Sequence, residues 1–118
     1  MKLATSYLGN YRNFKDYIPV CIMRWKPHYF NGIHIPELSP SAEILNKYKN
    51  NLMTFEDFKD NMQSQLNKFD INKILIKLQS YNEEKLVLVC TCKDYNKCHR
   101  KIVAGWIIKS TGLIIEEL

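Results

Sequence analysis

The stretch KLVLVCT, Lys85 to Thr91, constrains the fold of this chain more than any other. Leu86 to Cys90 are apolar without a break, and the run is rich in valine. A half-exposed strand alternates apolar and polar residues; a short continuous run reads as a strand buried on both faces, the kind found in parallel sheets. Beyond it the period changes. From about Cys98 the spacing is helical, with Ile102, Val103, Trp106 and Ile107 on one face. Thr111-Gly112 ends that helix, and LIIEE reads as a last strand. The segment Lys85 to Glu117 is long enough for one strand–helix–strand crossover.

The rest of the chain supplies the partners. LATSYL (Leu3 to Leu8), ending in the turn signal Gly9-Asn10, reads as a first strand, and IPVCIMRW (Ile18 to Trp25) as a second. Pro19 fits the first residues of a strand. The segment KPHYFNGIHIPELSP is a long loop rich in proline, glycine and aromatics, and loops of that length inside compact domains are often functional. Three helices should follow: one capped by Ser39 with Pro40 at its first position, one opened by a Thr54–Asp57 capping box, and one capped by Asp70. Phe55, Phe58, Met62, Leu66 and Phe69 make one buried face, as do Ile71, Ile74, Leu75 and Leu78. The expected fold is α/β: a single compact domain spanning residues 1–118, with a small, mostly parallel sheet flanked by helices, a Rossmann-like open sheet.

No apolar run approaches the roughly 20 residues of a membrane helix, and MKLATSYLGN is too poor in apolar residues for a signal peptide. The expectation is a cytoplasmic protein without a membrane partner, whose four cysteines are free thiols, ligands or catalysts before they are bridges. The net charge of +5 favours an anionic partner, although solvated helix faces account for many of the lysines. Nucleic acid is a weaker expectation, because no helix-turn-helix, zinc-finger or RNP signature accompanies the charge.

Open parallel sheets bind ligands outside the carboxyl ends of their strands. Ser6 and Tyr7 lie at the end of strand one; Arg24 and Trp25, then Pro27 and His28, follow strand two; Cys90, Thr91 and Cys92 end the valine-rich strand. The last helix begins near Cys98, His99 and Arg100. Hydroxyls, aromatics, cations and thiols therefore converge on one rim, and the free N–H groups of the helix start add positive potential. Arg100 in the first turn opposes the helix dipole; an anion would resolve the conflict, as would a structural carboxylate such as Asp94 or Glu116. A thiol at a helix start beside cations is expected to be partly ionised, which makes Cys98 a candidate nucleophile with His99 or His28 as proton partner. Cys21 and Cys90 read as core. Trp25, Tyr7 and Tyr29 are candidates to stack on a base.

A structural zinc on Cys90, Cys92, Cys98 and His99 is disfavoured by the spacing, and because consecutive helical residues point about 100° apart. No metal and no cofactor is expected. Cys92 and Arg100 have seven residues between them, where a protein-phosphatase loop needs five.

At these residues the chain resembles a known family. LVLVC…KCHRKIVAGWI is similar to the Leu-Leu-Cys…Cys-His-Arg…helix signature of the domain of unknown function 488 family. TSY, IMRWKP with its Arg-x-x-Pro, LSPSAEILNKYKNN and FEDFKDNMQSQLNKFD extend the resemblance over nearly the whole chain. It implies motif positions at Arg24, Pro27, Cys90, Cys98, His99 and Arg100, with Ser6 and Tyr7 beside them. Two acids that many members carry are replaced here by Ile22 and Cys92. The resemblance implies a fold and a site, and leaves the reaction open. The expected function is binding of a small anion, a nucleotide or other phosphorylated metabolite, held by Arg24 and Arg100, with sequestration as one form of it and a Cys98-dependent enzyme as the rival.

Overall fold

The computed structural model describes residues 1–118. Five parallel strands form one sheet: β1 (Lys2–Tyr7), β2 (Ile18–Cys21), β3 (Ile33–His34), β4 (Lys85–Cys90) and β5 (Ile115–Glu117), in the order β3-β2-β4-β1-β5. Four α-helices accompany them: α1 (Ala42–Lys49), α2 (Phe55–Leu66), α3 (Ile71–Gln79) and α4 (His99–Thr111). The valine-rich run is β4, hydrogen-bonded between β1 and β2 and buried from Leu86 to Cys90.

The two faces of β4 go to different cores. Leu86 and Leu88 join Leu3, Val20 and the inward residues of α2, α3 and α4. Val87 and Val89 join Ala4, Cys21, Phe14 and Phe30. All four α-helices flank the first face, and the second is covered by residues outside them, among them Phe14, Tyr17, Met23, Phe30 and Leu118. The direction of travel explains this. The chain steps one way from β1 to β2 to β3 and the other way from β3 to β4 to β5. One handedness for every crossover puts connections that travel in opposite directions on opposite faces.

Local chemistry sets most boundaries. The Thr54–Asp57 capping box opens α2 with both reciprocal bonds made, and Asp70 caps α3 through the Asn72 N–H at 2.9 Å. Gly112 closes α4 at φ +75°, a left-handed conformation that costs glycine nothing. Asn51 and Asn82, at φ 59° and 56°, do the same work after α1 and α3. One cap differs from expectation: Ser41, not Ser39, caps α1, its hydroxyl accepting from Ile44 N–H at 3.2 Å. The decision is tertiary, since Gln65 of α2 clamps this entry, donating to Ser39 O at 2.6 Å and accepting from Ser41 N–H at 2.9 Å. The second strand ends at Cys21, earlier than expected, and the long loop after it contributes the two-residue edge strand β3. No helix is long and apolar enough to cross a membrane.

Candidate functional site

Chain leaving β2 and chain leaving β4 depart in opposite directions although the strands are neighbours, and such a switch point opens a crevice at the carboxyl edge. A cavity of about 250 Å³ lies there. Its wall takes Met23, Arg24 and Trp25 from the end of β2, Cys90, Thr91 and Cys92 from the end of β4, and His99 from α4. The start and end of the α1 region complete it with Pro40, Leu45 and Lys49. A larger groove of about 420 Å³ between α2 and α4 carries Lys59, Lys101, Lys109 and Trp106 but no thiol or histidine. It takes no residue from the ends of β2 or β4, whereas the smaller cavity takes Cys90, Cys92 and His99.

Arg24 is half-buried, and its Nε is fully buried without a hydrogen-bond partner. Leaving such a donor unmatched costs about 1–3 kcal/mol or more, so the position is notable. Trp25 stands beside it, 63% exposed.

Cys90 and His99 line the cavity, and Cys98 lies buried behind them. Sulfur atoms of Cys90 and Cys98 and a ring nitrogen of His99 lie within 4.8 Å of one another. His99 Nε2 is 2.7 Å from Ile22 O. A carbonyl only accepts, so Nε2 carries the proton and Nδ1 is left unprotonated, 3.9 Å from Cys98 Sγ. Burial pushes His99 down to about 4, against the opposing pull of the Ile22 carbonyl. The Cys90 thiol is pushed down, first by a hydrogen bond from the Cys98 thiol and then, against burial, by the Arg100 guanidinium. Cys98 moves the other way: its thiol is the donor to Cys90, and burial and the neighbouring negative sulfur both raise it. Cys98 had been expected to be the ionised thiol; the guanidinium of Arg100 instead reaches the sulfur of Cys90, at the strand end, 3.3 Å away, which favours charge there.

Arg100 does not face the cavity. It is 0% exposed, with Nε donating to Glu117 Oε1 at 3.1 Å and Nη2 to Oε2 at 2.7 Å. Its Nη1 donates to Cys90 Sγ at 3.3 Å and to Cys92 O, and Nη2 lies 3.4 Å from Lys93 O. Burial works against this charge, but the Glu117 and Cys90 bonds outweigh it and the pKa is raised. The conflict with the helix dipole is thus resolved by a carboxylate, Glu117, where an anionic ligand or Asp94 or Glu116 had been expected. Arg24 and Arg100 do not share an anion; Arg100 shapes the β4–α4 loop and supports Cys90.

Other expected residues lie off the cavity wall. The Ser6 hydroxyl is buried beside β5, donating to Leu118 O at 3.3 Å and accepting from Asn10 Nδ2 at 3.2 Å. Tyr7 is half-buried at the β1 end, Pro27 sits in the β2–β3 loop, and His28 is exposed with its ring edge-on to Tyr29 at 5.7 Å. None of the four lines the cavity. Lys49, which does, carried no sequence signal, being one of the two lysines of α1. The two positions where acids are replaced, Ile22 and Cys92, act through the backbone: their carbonyls hold His99 and Arg100.

The zinc argument from helical spacing fails on one angle. Cys98 precedes α4 as its N-cap, with extended backbone at φ −109° and ψ 145°. Its side chain therefore does not follow the 100° step to His99, and both reach the same point.

A family model described as the active DUF488-N3 subclade matches residues 4–111, from β1 to the last turn of α4. The chain belongs to the DUF488 family. No curated protein and no solved structure gives a significant match. In this DUF488 protein the matched span takes in every residue of the cavity wall.

Proposed function

We infer that this DUF488 protein binds a small anionic ligand, a nucleotide or other phosphorylated metabolite, in the cavity between the carboxyl ends of β2 and β4. The observation that carries the reading is the orphaned Arg24 Nε, a buried cationic donor on the cavity wall. A ligand oxygen would satisfy it with a charge-assisted bond. Lys49 provides a second cation on the wall, and the exposed Trp25 ring offers a face for a base. At about 250 Å³ the cavity is near the small end of ligand sites, suited to a small molecule rather than a polymer.

Sequestration needs nothing more than this. The enzymatic version places the chemistry at the cavity floor, where Cys90 and His99 would meet the ligand, and the word "active" in the description of the matched subclade supports it. Its reacting sulfur would be Cys90, since Cys98 is absent from the wall. The four unpaired thiols support a reducing, cytoplasmic setting.

Native mass spectrometry of protein purified from cells tests the reading. The expected result is a bound small anion that free nucleotide displaces in wild type and that Arg24→Ala does not retain. Ligand-free protein that also ignores added nucleotides would end the proposal. Steeply salt-dependent duplex binding in its place would move the function to the basic groove between α2 and α4.

A further inference from the structure

We propose that Cys90, Cys98 and His99 form a three-ligand site for a thiophilic divalent cation of the zinc class, with the fourth coordination position open to the Arg24 cavity. This deepens the anion-binding reading, and rests on it only for what occupies the fourth position.

The geometry comes first. Tetrahedral zinc with bonds of about 2.3 Å to sulfur and 2.0–2.1 Å to nitrogen sets ligand atoms about 3.5–3.8 Å apart. Cys98 Sγ and His99 Nδ1 are 3.9 Å apart, and all three donor atoms lie within 4.8 Å of one another. Small rotations of buried side chains close the remaining gap. The three come from two elements, the end of β4 and the start of α4, so the site is built by the fold and not by one flexible loop.

The surrounding groups suit a metal equally. A metal-binding histidine characteristically donates its other N–H to a carbonyl or carboxylate, which fixes the ring and the tautomer. His99 does this to Ile22 O at 2.7 Å, leaving Nδ1 on the side of the thiols. Cys98 is an N-cap whose side chain makes no capping bond, so its sulfur is not committed to the helix. Arg100 Nη1 lies 3.3 Å from Cys90 Sγ, an N–H donor toward a ligating thiolate.

Charge balances as well. Binding displaces one proton from each thiol, so the cation with two thiolates and a neutral imidazole is electrically neutral, and two protons pass to solvent. Arg100 is already neutralised by Glu117 at 2.7 Å. A buried floor with no net charge results. Three protein ligands leave one position free, the pattern of catalytic and not structural zinc. Cys90 and His99 both line the cavity, so that position faces Arg24. Water, or an oxygen of the anionic ligand, would fill it.

The test is titration of reduced, tag-free protein with Co²⁺, followed by displacement with Zn²⁺. The expected result is saturation at one equivalent, with a thiolate-to-cobalt charge-transfer band and the visible bands of a tetrahedral ion. Cys90→Ser, Cys98→Ser and His99→Gln should each weaken binding at least roughly tenfold, and His28→Gln, off the cavity wall, should leave it unchanged. X-ray absorption of the zinc-loaded wild type gives a check that needs no variant to fold: two sulfurs and light-atom neighbours at zinc distances. No saturable binding, a sulfur count other than two, or loss of binding in His28→Gln alone would overturn the assignment. Nucleotide binding by the metal-free protein is measured separately. Retained Arg24-dependent binding with no metal uptake sinks this inference and leaves the anion pocket standing.

Discussion

Replacing Glu117 with alanine should destabilise the protein more than any other single change on its surface-accessible strand β5. The carboxylate takes two hydrogen bonds from Arg100, at 3.1 and 2.7 Å, and a third from Thr5 Oγ1 at 2.8 Å. Arg100 is 0% exposed, so without Glu117 its charge stays in the interior beside the Cys92 and Lys93 carbonyls, the Cys90 sulfur and the Tyr95 ring, with no anionic carboxylate. Stranding a buried charge in this way costs about 3–5 kcal/mol. An unfolding entropy of roughly 2.1 cal/mol/K per residue turns that into a fall in Tm of about 12–20 °C for a chain of this length. Arg100→Met should cost less, because the Glu117 side chain is 25% exposed and can turn to water. The double variant Arg100→Met/Glu117→Ala should therefore melt above the Glu117→Ala single. Thermal and urea denaturation followed by circular dichroism measure all three. A Glu117→Ala protein melting within about 3 °C of wild type, or a double variant no better than that single, would refute the claim that Arg100 is a structural cation held by this carboxylate.

Three further outcomes follow from local features. Thr54→Ala removes one half of the α2 capping box and should cost about 1 kcal/mol in urea denaturation. Gly112→Ala meets no neighbouring atom within 4 Å but must hold φ +75°, so it should cost about 1 kcal/mol from backbone strain alone, read by the same assay. Limiting iodoacetamide with peptide mapping should label the exposed Cys92 first and the buried Cys98 and Cys21 late; early labelling of Cys98 would contradict its place behind Cys90.

What the sequence disclosed, it disclosed through local rules. An unbroken apolar run has one good explanation, and β4 is where it says. Thr54 with Asp57, Asp70 and Gly112 act within a turn of themselves, and each holds its expected position. Ser39 and Ser41 are both sound caps by local chemistry, and Gln65, some two dozen residues away, chooses between them. The strand β3 is only two residues long and exists because β2 is beside it. In the site, Arg24, Trp25, Cys90 and His99 were legible because strand ends and a helix start mark the carboxyl edge. The partner of Arg100 was not. Glu116 and Glu117 are adjacent, a one-residue shift in a three-residue strand exchanges their faces, and nothing local fixes that register. The reach of Cys98 toward His99 was hidden for a related reason: one extended N-cap residue changes where a side chain points, and spacing counts treat it as helical.

The central claim is that Arg24 holds an anion at the edge between β2 and β4. Calorimetric titration of wild type, Arg24→Ala and Arg24→Lys with phosphorylated nucleotides tests it most directly, alongside thermal melts. A charge-assisted hydrogen bond is worth about 1.5–3 kcal/mol, so Arg24→Ala should bind roughly tenfold or more weakly. Lysine should recover part of this, keeping the charge and losing the planar fork. The melting temperature of both variants should stay near that of wild type, because Arg24 has no partner in the fold to lose. Equal affinity in wild type and Arg24→Ala, or a wild type that binds no nucleotide, would contradict the account.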